Sequence, residues 1–296
     1  MTGGAMFSRA AFNFTPQCGQ VRNMATLKAI SMRLKSVKSI QKITKSMKMV
    51  SAAKYSRADR ELKSARVYGG GAKVFFDKAD IASDDKSPNH LVIAMTSDRG
   101  LCGAVHSGIA RAIRAALPEK PPGTTTKIVC VGDKSRVILS RLFKDQMLMH
   151  FNNIGKQPPN FTDAAIIANE ILKSGYEFDF AEMYYNTFRT VISYRLTVQP
   201  LFTLENLSKA ENINIYDSLD EEVLRSYNEF ALTSLIYHAL KEGACSEQSS
   251  RMTAMESATK NAGEMIDKLT LTYNRTRQSV ITRELIEIIS GAAALK

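Results

Sequence analysis

Tryptophan is absent from the 296 residues, and the eight prolines are clustered. None lies in 17–87 or 201–296, while six fall between Pro88 and Pro159. Both ends therefore lack the strongest helix breaker, and the chain reads as helix, compact middle domain, helix. Cys18, Cys102, Cys130 and Cys245 are too far apart for zinc-binding spacing. His90, His106, His150 and His238 are equally scattered, so no metal site is expected, and the free thiols suit a reducing compartment. No apolar run reaches the length of a membrane span. Neither G-x-G-x-x-G nor a P-loop is present, and no cofactor is expected.

Acidic residues are missing altogether from Met1 to Ala58. Eleven of the 40 Lys and Arg lie in that stretch, which leaves 29 against the 29 Asp and Glu of the remainder. The whole excess of +11 thus sits at one end. Such a segment seeks nucleic acid, an anionic membrane or an acidic protein surface. The acid-free leader with Arg9 and Arg22 resembles a removable mitochondrial transit peptide over residues 1–24.

Thr26 is a good cap for a first helix. Leu27, Ile30, Leu34, Val37, Ile40, Ile43, Met47 and Val50 then follow on helical steps. Lys35, Lys38, Lys42 and Lys45 form a basic ladder on another face. The Gly69-Gly70-Gly71 run is expected to break or bend this helix. The last helix is expected to begin near Ser218, with Asp220, Glu221 and Glu222 suiting its dipole. Its seam runs through Met255, Ala258, Ala262, Met265 and Leu269. It turns polar through Thr272–Gln278, then resumes at Ile281, Leu285, Ile288, Ala292 and Leu295. Helices of about 80 and 115 Å at ~1.5 Å per residue do not fit a compact domain of this size. Pairing as a long antiparallel coiled coil is the simple solution.

In the middle, strands are expected at His90–Met95, Lys127–Val131, Phe178–Asn186 and Val191–Phe202. Helices are expected at Ala104–Leu117, Ser135–Leu142 and Phe161–Ser174. This alternation argues a small Rossmann-like α/β domain with a mostly parallel sheet. The domains are then 25–87, 88–208 and 209–296, after the leader.

The loop Asp98-Arg99-Gly100-Leu101-Cys102-Gly103 follows a strand and invites a phosphate-binding reading. A tight turn that needs glycine accounts for the same residues. Cys102 beside Arg99, with His106 nearby, also admits a reactive thiol. The lysine ladder could track nucleic acid phosphates, but Tyr55 is the sole aromatic from Val21 to Val67, too few for base stacking. Acidic protein loops suit it better. A basic nucleic-acid-binding protein with a helical arm, and a nucleotide-using enzyme built on the 98–103 loop, remain as alternatives.

Four segments carry a resemblance. Ile40–Val50 (IQKITKSMKMV) resembles the N-terminal helix of ATP synthase gamma subunits. Ser97–Gly103 is similar to the central-domain turn of that family. Ser250–Met255 with Ala258, Asn261 and Ala262, and Ile281–Ala292 (ITRELIEIISGA), are similar to its C-terminal helix. The resemblance covers about 25–296. It implies a non-catalytic rotor shaft inside a ring of alpha and beta subunits. Delta- and epsilon-type stalk subunits and the membrane c ring would contact the base, on the matrix side of the mitochondrial inner membrane. It further implies that Arg277, Gln278 and Thr282 contact a beta subunit, as do Arg99 and Cys102. Chloroplast relatives carry an inserted regulatory cysteine pair, and no close pair exists here.

The leader reading expects a mature protein beginning near Ala25. N-terminal sequencing of the organellar protein checks this, and recovery of Met1 would contradict it.

Overall fold

A computed structural model describes residues 26–79, 88–121, 123–204, 206 and 220–295. The expected leader lies outside these residues, as do Ser218, Cys18, and positions 87, 208 and 209 at the expected domain boundaries. The long helices are α1, Leu27–Ala79, and α5, Glu221–Ala294. Thr26 Oγ1 accepts from the Ala29 N–H at 3.4 Å and caps α1. Glu221 and Glu222 lie in the first turn of α5. The chain divides into two compact units, Met1–Val37 with Ile266–Lys296, and Lys38–Met265.

The larger unit holds a five-stranded sheet. Its elements run β1 (Asn89–Met95), α2 (Val105–Ala116), β2 (Thr125–Val131), α3 (Asp133–Leu139), β3 (Met147–Phe151), α4 (Phe161–Lys173), β4 (Phe180–Phe188) and β5 (Tyr194–Leu201). The strand order is β3-β2-β1-β4-β5. All pairs are parallel except β4 with β5. The period-two alternation of β1 divides its side chains between two cores. Leu91, Ile93 and Met95 pack with Ile167 and Ile171 of α4, Ala72 and Phe76 of α1, and Leu235, Ile236 and Ala239 of α5. Val92 and Ala94 pack with Ile109 and Ile113 of α2 and Leu139 of α3. Helices cover both faces, as a parallel sheet requires. The edge strand β3 was not among the expected strands. Its segment, MLMHF, is only half-buried, and it reads weakly because one face of an edge strand packs on little.

Within this unit α1 and α5 run antiparallel. Thr44 meets Thr259 at 2.8 Å, Lys48 meets Glu256 at 2.7 Å, and Glu61 meets Lys241 at 2.7 Å, one number rising as the other falls. The glycine run does not break α1, which is continuous through 69–71. Gly69 is buried, and a Cβ there would lie 2.4 Å from His238 Cγ and 2.8 Å from His238 Cβ. Glycine is needed for the approach of α5, not for a bend. Gly70 and Gly71 face open space.

The seam of α1 differs from the apolar steps of the sequence. Ile30, Val37, Thr44 and Ser51 are buried, with Leu27, Leu34, Gln41, Lys48 and Tyr55 half-buried between them. These alternate on steps of three and four, a 3.5-residue repeat that keeps one stripe on a supercoiling partner. Ile40, Ile43 and Val50 fall off that repeat and are exposed. Polar residues take their place, and Thr44 stays satisfied, accepting from Thr259 and donating to the Gln41 carbonyl at 3.1 Å. On α5, Met255 and Ala262 are buried as expected, but Met265 is exposed and Ile266 takes the half-buried position.

In the smaller unit, Ile30 and Val37 are buried and Ile266, Leu269, Tyr273, Thr276 and Val280 half-buried. The expected final seam is bare: Ile281, Leu285, Ile288 and Leu295 are exposed. Helix α1 begins only at Leu27, so its described residues are too few to reach the end of a longer antiparallel partner.

Gly69→Ala is expected to destabilise the chain by about 1–3 kcal/mol through overpacking against His238. Gly70→Ala and Gly71→Ala should instead stabilise it, by about 0.5–1 kcal/mol each. Denaturant unfolding of the three variants checks the contrast.

Candidate functional site

The sequence of α5 places charges inside a buried helix face. Lys241, Glu242, Glu247 and Arg251 are all buried. Each needs a partner, because an isolated charge is costly in low dielectric. Glu242 finds two. Arg66 of α1 grips it with Nε at 2.7 Å and Nη2 at 3.3 Å. The Phe188 N–H, at the end of β4, donates to Glu242 Oε2 at 2.7 Å, and Arg66 Nη2 donates to the Phe188 carbonyl at 2.9 Å. One carboxylate thereby joins both long helices to the sheet.

Five residues further on lies a second junction. Arg251 pairs with Glu247 and donates to the Gly100 carbonyl from Nε at 3.3 Å and Nη2 at 3.2 Å. His106 Nε2 lies 3.8 Å from Glu247 Oε2 and 3.1 Å from Ser97 Oγ. Ser250 Oγ donates to the Cys102 carbonyl at 2.7 Å. Asp98 Oδ1 accepts from the Asp133 N–H at 2.8 Å, and Arg99 Nη2 donates to the Lys156 carbonyl at 3.2 Å. The 97–103 turn is thus clamped onto α5 and its neighbours. Gly103, at φ +64°, has room for a Cβ only 3.2 Å from Ser250 Oγ. Gly103 thus fits the tight-turn alternative to phosphate binding, whereas a Cβ at Gly100 would meet only Lys134 at 3.8 Å.

This turn does not activate its thiol. Burial, and next the Glu247 carboxylate, push Cys102 up to about 11. Burial likewise lifts Cys130 to about 11 and Cys245 to about 12. Burial lowers the His106 pKa despite Glu247, so the ring is neutral at pH 7 and supplies no cation to stabilise a thiolate. The reactive-thiol reading is corrected accordingly.

The sequence-expected contact residues are spread over several places. Lys35, Lys38, Lys42 and Lys45 are exposed. Lys42 and Lys45, with Lys48, Met49 and Lys260, line an open groove of about 840 Å3 along the α1–α5 pair, in which Glu256 is the acidic residue. On the distal part of α5, Arg277, Gln278 and Thr282 are exposed. Gln278 and Thr282 are brought together: the Thr282 hydroxyl donates to the Gln278 carbonyl at 2.9 Å, and both line a shallow groove with Arg275 and Arg283. Arg277 does not line that groove. Arg99 is exposed, whereas the Cys102 side chain is buried at 3% exposure.

A family model described as ATP synthase matches residues 26–295. The mitochondrial ATP synthase subunit gamma of Drosophila melanogaster is 61% identical, with 96% of each chain covered. The mitochondrial ATP synthase F(1) complex subunit gamma of Rattus norvegicus is 55% identical over 92% of this chain and all of that one. This chain belongs to the ATP synthase gamma-subunit family. A solved chain from the Tetrahymena thermophila mitochondrial ATP synthase central stalk and c-ring shares 30% identity at a TM-score of 0.62, over 73% of this chain and 99% of that one. One from the Euglena gracilis mitochondrial enzyme, at 23% identity and a TM-score of 0.75, covers 91% of this chain and 94% of that one and shares the fold.

In this gamma-subunit family member the nucleic-acid reading finds no support among these relatives. Arg66, Glu242 and Glu247 are not among the residues singled out by sequence pattern. A signal was present: four charges between 241 and 251 interrupt an otherwise apolar and small-residue face, and Glu247 and Arg251 stand at i, i+4.

Arg66→Ala is expected to cost about 3–5 kcal/mol, because it strands the Glu242 side chain, which is 1% exposed. Glu242→Gln leaves a half-exposed guanidinium that water can reach and should cost less, about 1–2 kcal/mol. Chemical denaturation of both variants reads the difference.

Proposed function

We propose that this chain is the central rotor shaft of a mitochondrial F-type ATP synthase and performs no catalysis itself. The observation that carries the reading is the distal α5 helix with its bare apolar stripe, Ile281, Leu285 and Ile288, in a chain of gamma-subunit family over 26–295. An exposed stripe of that kind calls for an enclosing partner. The alpha and beta subunits would supply the sleeve, and the lysine-lined groove would face acidic loops of the same ring. The α/β domain would meet delta- and epsilon-type stalk subunits and the c ring. The shaft would sit peripherally on the matrix side of the inner membrane; no described helix is long and apolar enough to cross one. Residues 1–24 would be the leader, 25–87 and 209–296 the coiled-coil arms, and 88–208 the α/β domain.

The mechanism follows from symmetry. A two-helix shaft has no threefold axis, so three identical catalytic subunits around it meet three different faces. A ligand shifts an equilibrium only through its differential affinity for the states, and the shaft acts as a rotating ligand. A bias of ~5.5 kcal/mol would carry a site from 1:99 to 99:1. Rotation reassigns that bias from one beta subunit to the next. Arg99, Cys102 and the 277–282 patch are the contact points of this reading. Since the Cys102 thiol is buried, the turn would present Arg99, Gly100 and Leu101 outward. The absence of catalysis is supported by the 97–103 turn, where the Cys102 thiol is buried and Ser97, Asp98 and the Gly100 and Cys102 carbonyls make internal contacts.

Arg277 suits a coupling contact, since its planar donors grip a carboxylate or carbonyl in one orientation and release it in another. A charge-assisted hydrogen bond contributes about 1.5–3 kcal/mol. Arg277→Ala is expected to lower ATP turnover of the assembled enzyme by about tenfold while assembly stays intact. An assembled variant that hydrolyses ATP at the wild-type rate would remove Arg277 from the coupling path.

A further inference from the structure

A groove of about 230 Å3 lies where residues 54–61 of α1, the 155–159 turn and residues 241–248 of α5 converge. Nothing in the rotor mechanism uses it. Lys54, Arg57, Lys156 and Lys241 line it, against Glu61 and Glu247. Both carboxylates are already engaged. Glu61 accepts from Arg57 at 2.8 Å and from Lys241 at 2.7 Å, and Glu247 pairs with Arg251. Lys156 Nζ reaches only a neutral acceptor, Asn153 Oδ1 at 2.6 Å. Neither Lys54 nor Lys156 forms an ion pair with a described carboxylate. The groove therefore keeps an excess of two positive charges. Lys54, Arg57 and Lys156 are exposed and Lys241 is buried, and the concave wall between packed elements focuses their field on a compact anion.

We propose that this groove binds a phosphate group, as free inorganic phosphate or as the terminal phosphate of a nucleotide. A dianion matches the two unneutralised lysines, and charge-assisted hydrogen bonds to phosphate oxygens are the strong kind. The volume lies below the ~300–1,000 Å3 of clefts that enclose a whole drug-sized ligand, so a phosphate fits and a buried base does not. Among the described residues no aromatic side chain lines the groove for base stacking. Its walls come from both helices and the turn, so the occupant braces α1 and α5 against the α/β domain. Gly155, at φ +83°, brings the turn against Ser97 and Glu247, which links the groove to the 97–103 junction.

Thermal unfolding of the full chain tests the site, with inorganic phosphate compared to chloride at matched ionic strength. A saturable rise in Tm with phosphate alone is expected. The Lys54→Gln/Lys156→Gln variant should need at least tenfold more phosphate for the same rise, with its own Tm little changed. A second measurement covers a variant that fails to fold: phosphate should protect Lys54 and Lys156 of the unaltered chain from acylation, read by mass spectrometry. A larger rise with ADP than with phosphate assigns the source to a nucleotide, and an equal rise assigns it to free phosphate. Equal effects of chloride, wild-type binding by the variant, no protection, or a response to an acidic peptide but not to phosphate would each overturn the proposal.

Discussion

The Glu242 carboxylate is the constraint on which the rest of the larger unit depends. It sits in the interior of α5 at 1% exposure and bonds at once to Arg66 of α1 and to the backbone of β4. A buried ion pair is weak evidence for stability, since two desolvation penalties offset most of the attraction. Its value is geometric. A bidentate guanidinium–carboxylate pair has one good orientation, and the shared Phe188 peptide adds a third body to it. Apolar contacts between smooth helices tolerate sliding by a turn. This arrangement does not, because any slip leaves a charge unpaired in the interior.

The second junction repeats the principle with different chemistry. Arg251 ties α5 to the carbonyl of Gly100, and Glu247 neutralises it while facing a neutral His106. Between them, the two junctions fasten the α/β domain to the helix pair at 242 and 247–251. In the rotor reading proposed above, load passing from the domain into the helices would cross these two junctions. Polar groups at the seam of the pair, such as Thr44 with Thr259, fix register in the same way.

Placing polar residues in the seam has a consequence for the outside of the pair. Ile40, Ile43 and Val50 are turned out, beside Lys42 and Lys45. The bare stripe of α5 beyond Val280 does the same with Ile281, Leu285 and Ile288. In the proposed assembly, other subunits would cover these exposed apolar rows. The large apolar core within the chain, by contrast, belongs to the sheet and the helices packed on its faces.

The sequence by itself determined the order of elements apart from the edge strand β3, the two proline-free helical ends and the α/β middle. Those follow from local rules: a missing breaker, a period near 3.6, and short apolar runs bounded by turns. The lysine spacing also placed Lys42 and Lys45 on a face away from the apolar steps, and both are exposed; the roles of Arg277, Gln278 and Thr282 came from the family resemblance and not from pattern. Only the tertiary structure decided which stripe of α1 is buried. Ile40 and Thr44 are equally compatible with a helix, and the supercoil repeat of a partner 215 residues away from Thr44 chose the polar one. The role of Gly69 depended in the same way on where His238 would stand. Glu242 and Glu247 read as solvated helix charges until α1 and the 97–103 turn were brought against them, because the cost of a buried charge exists only once water has been excluded.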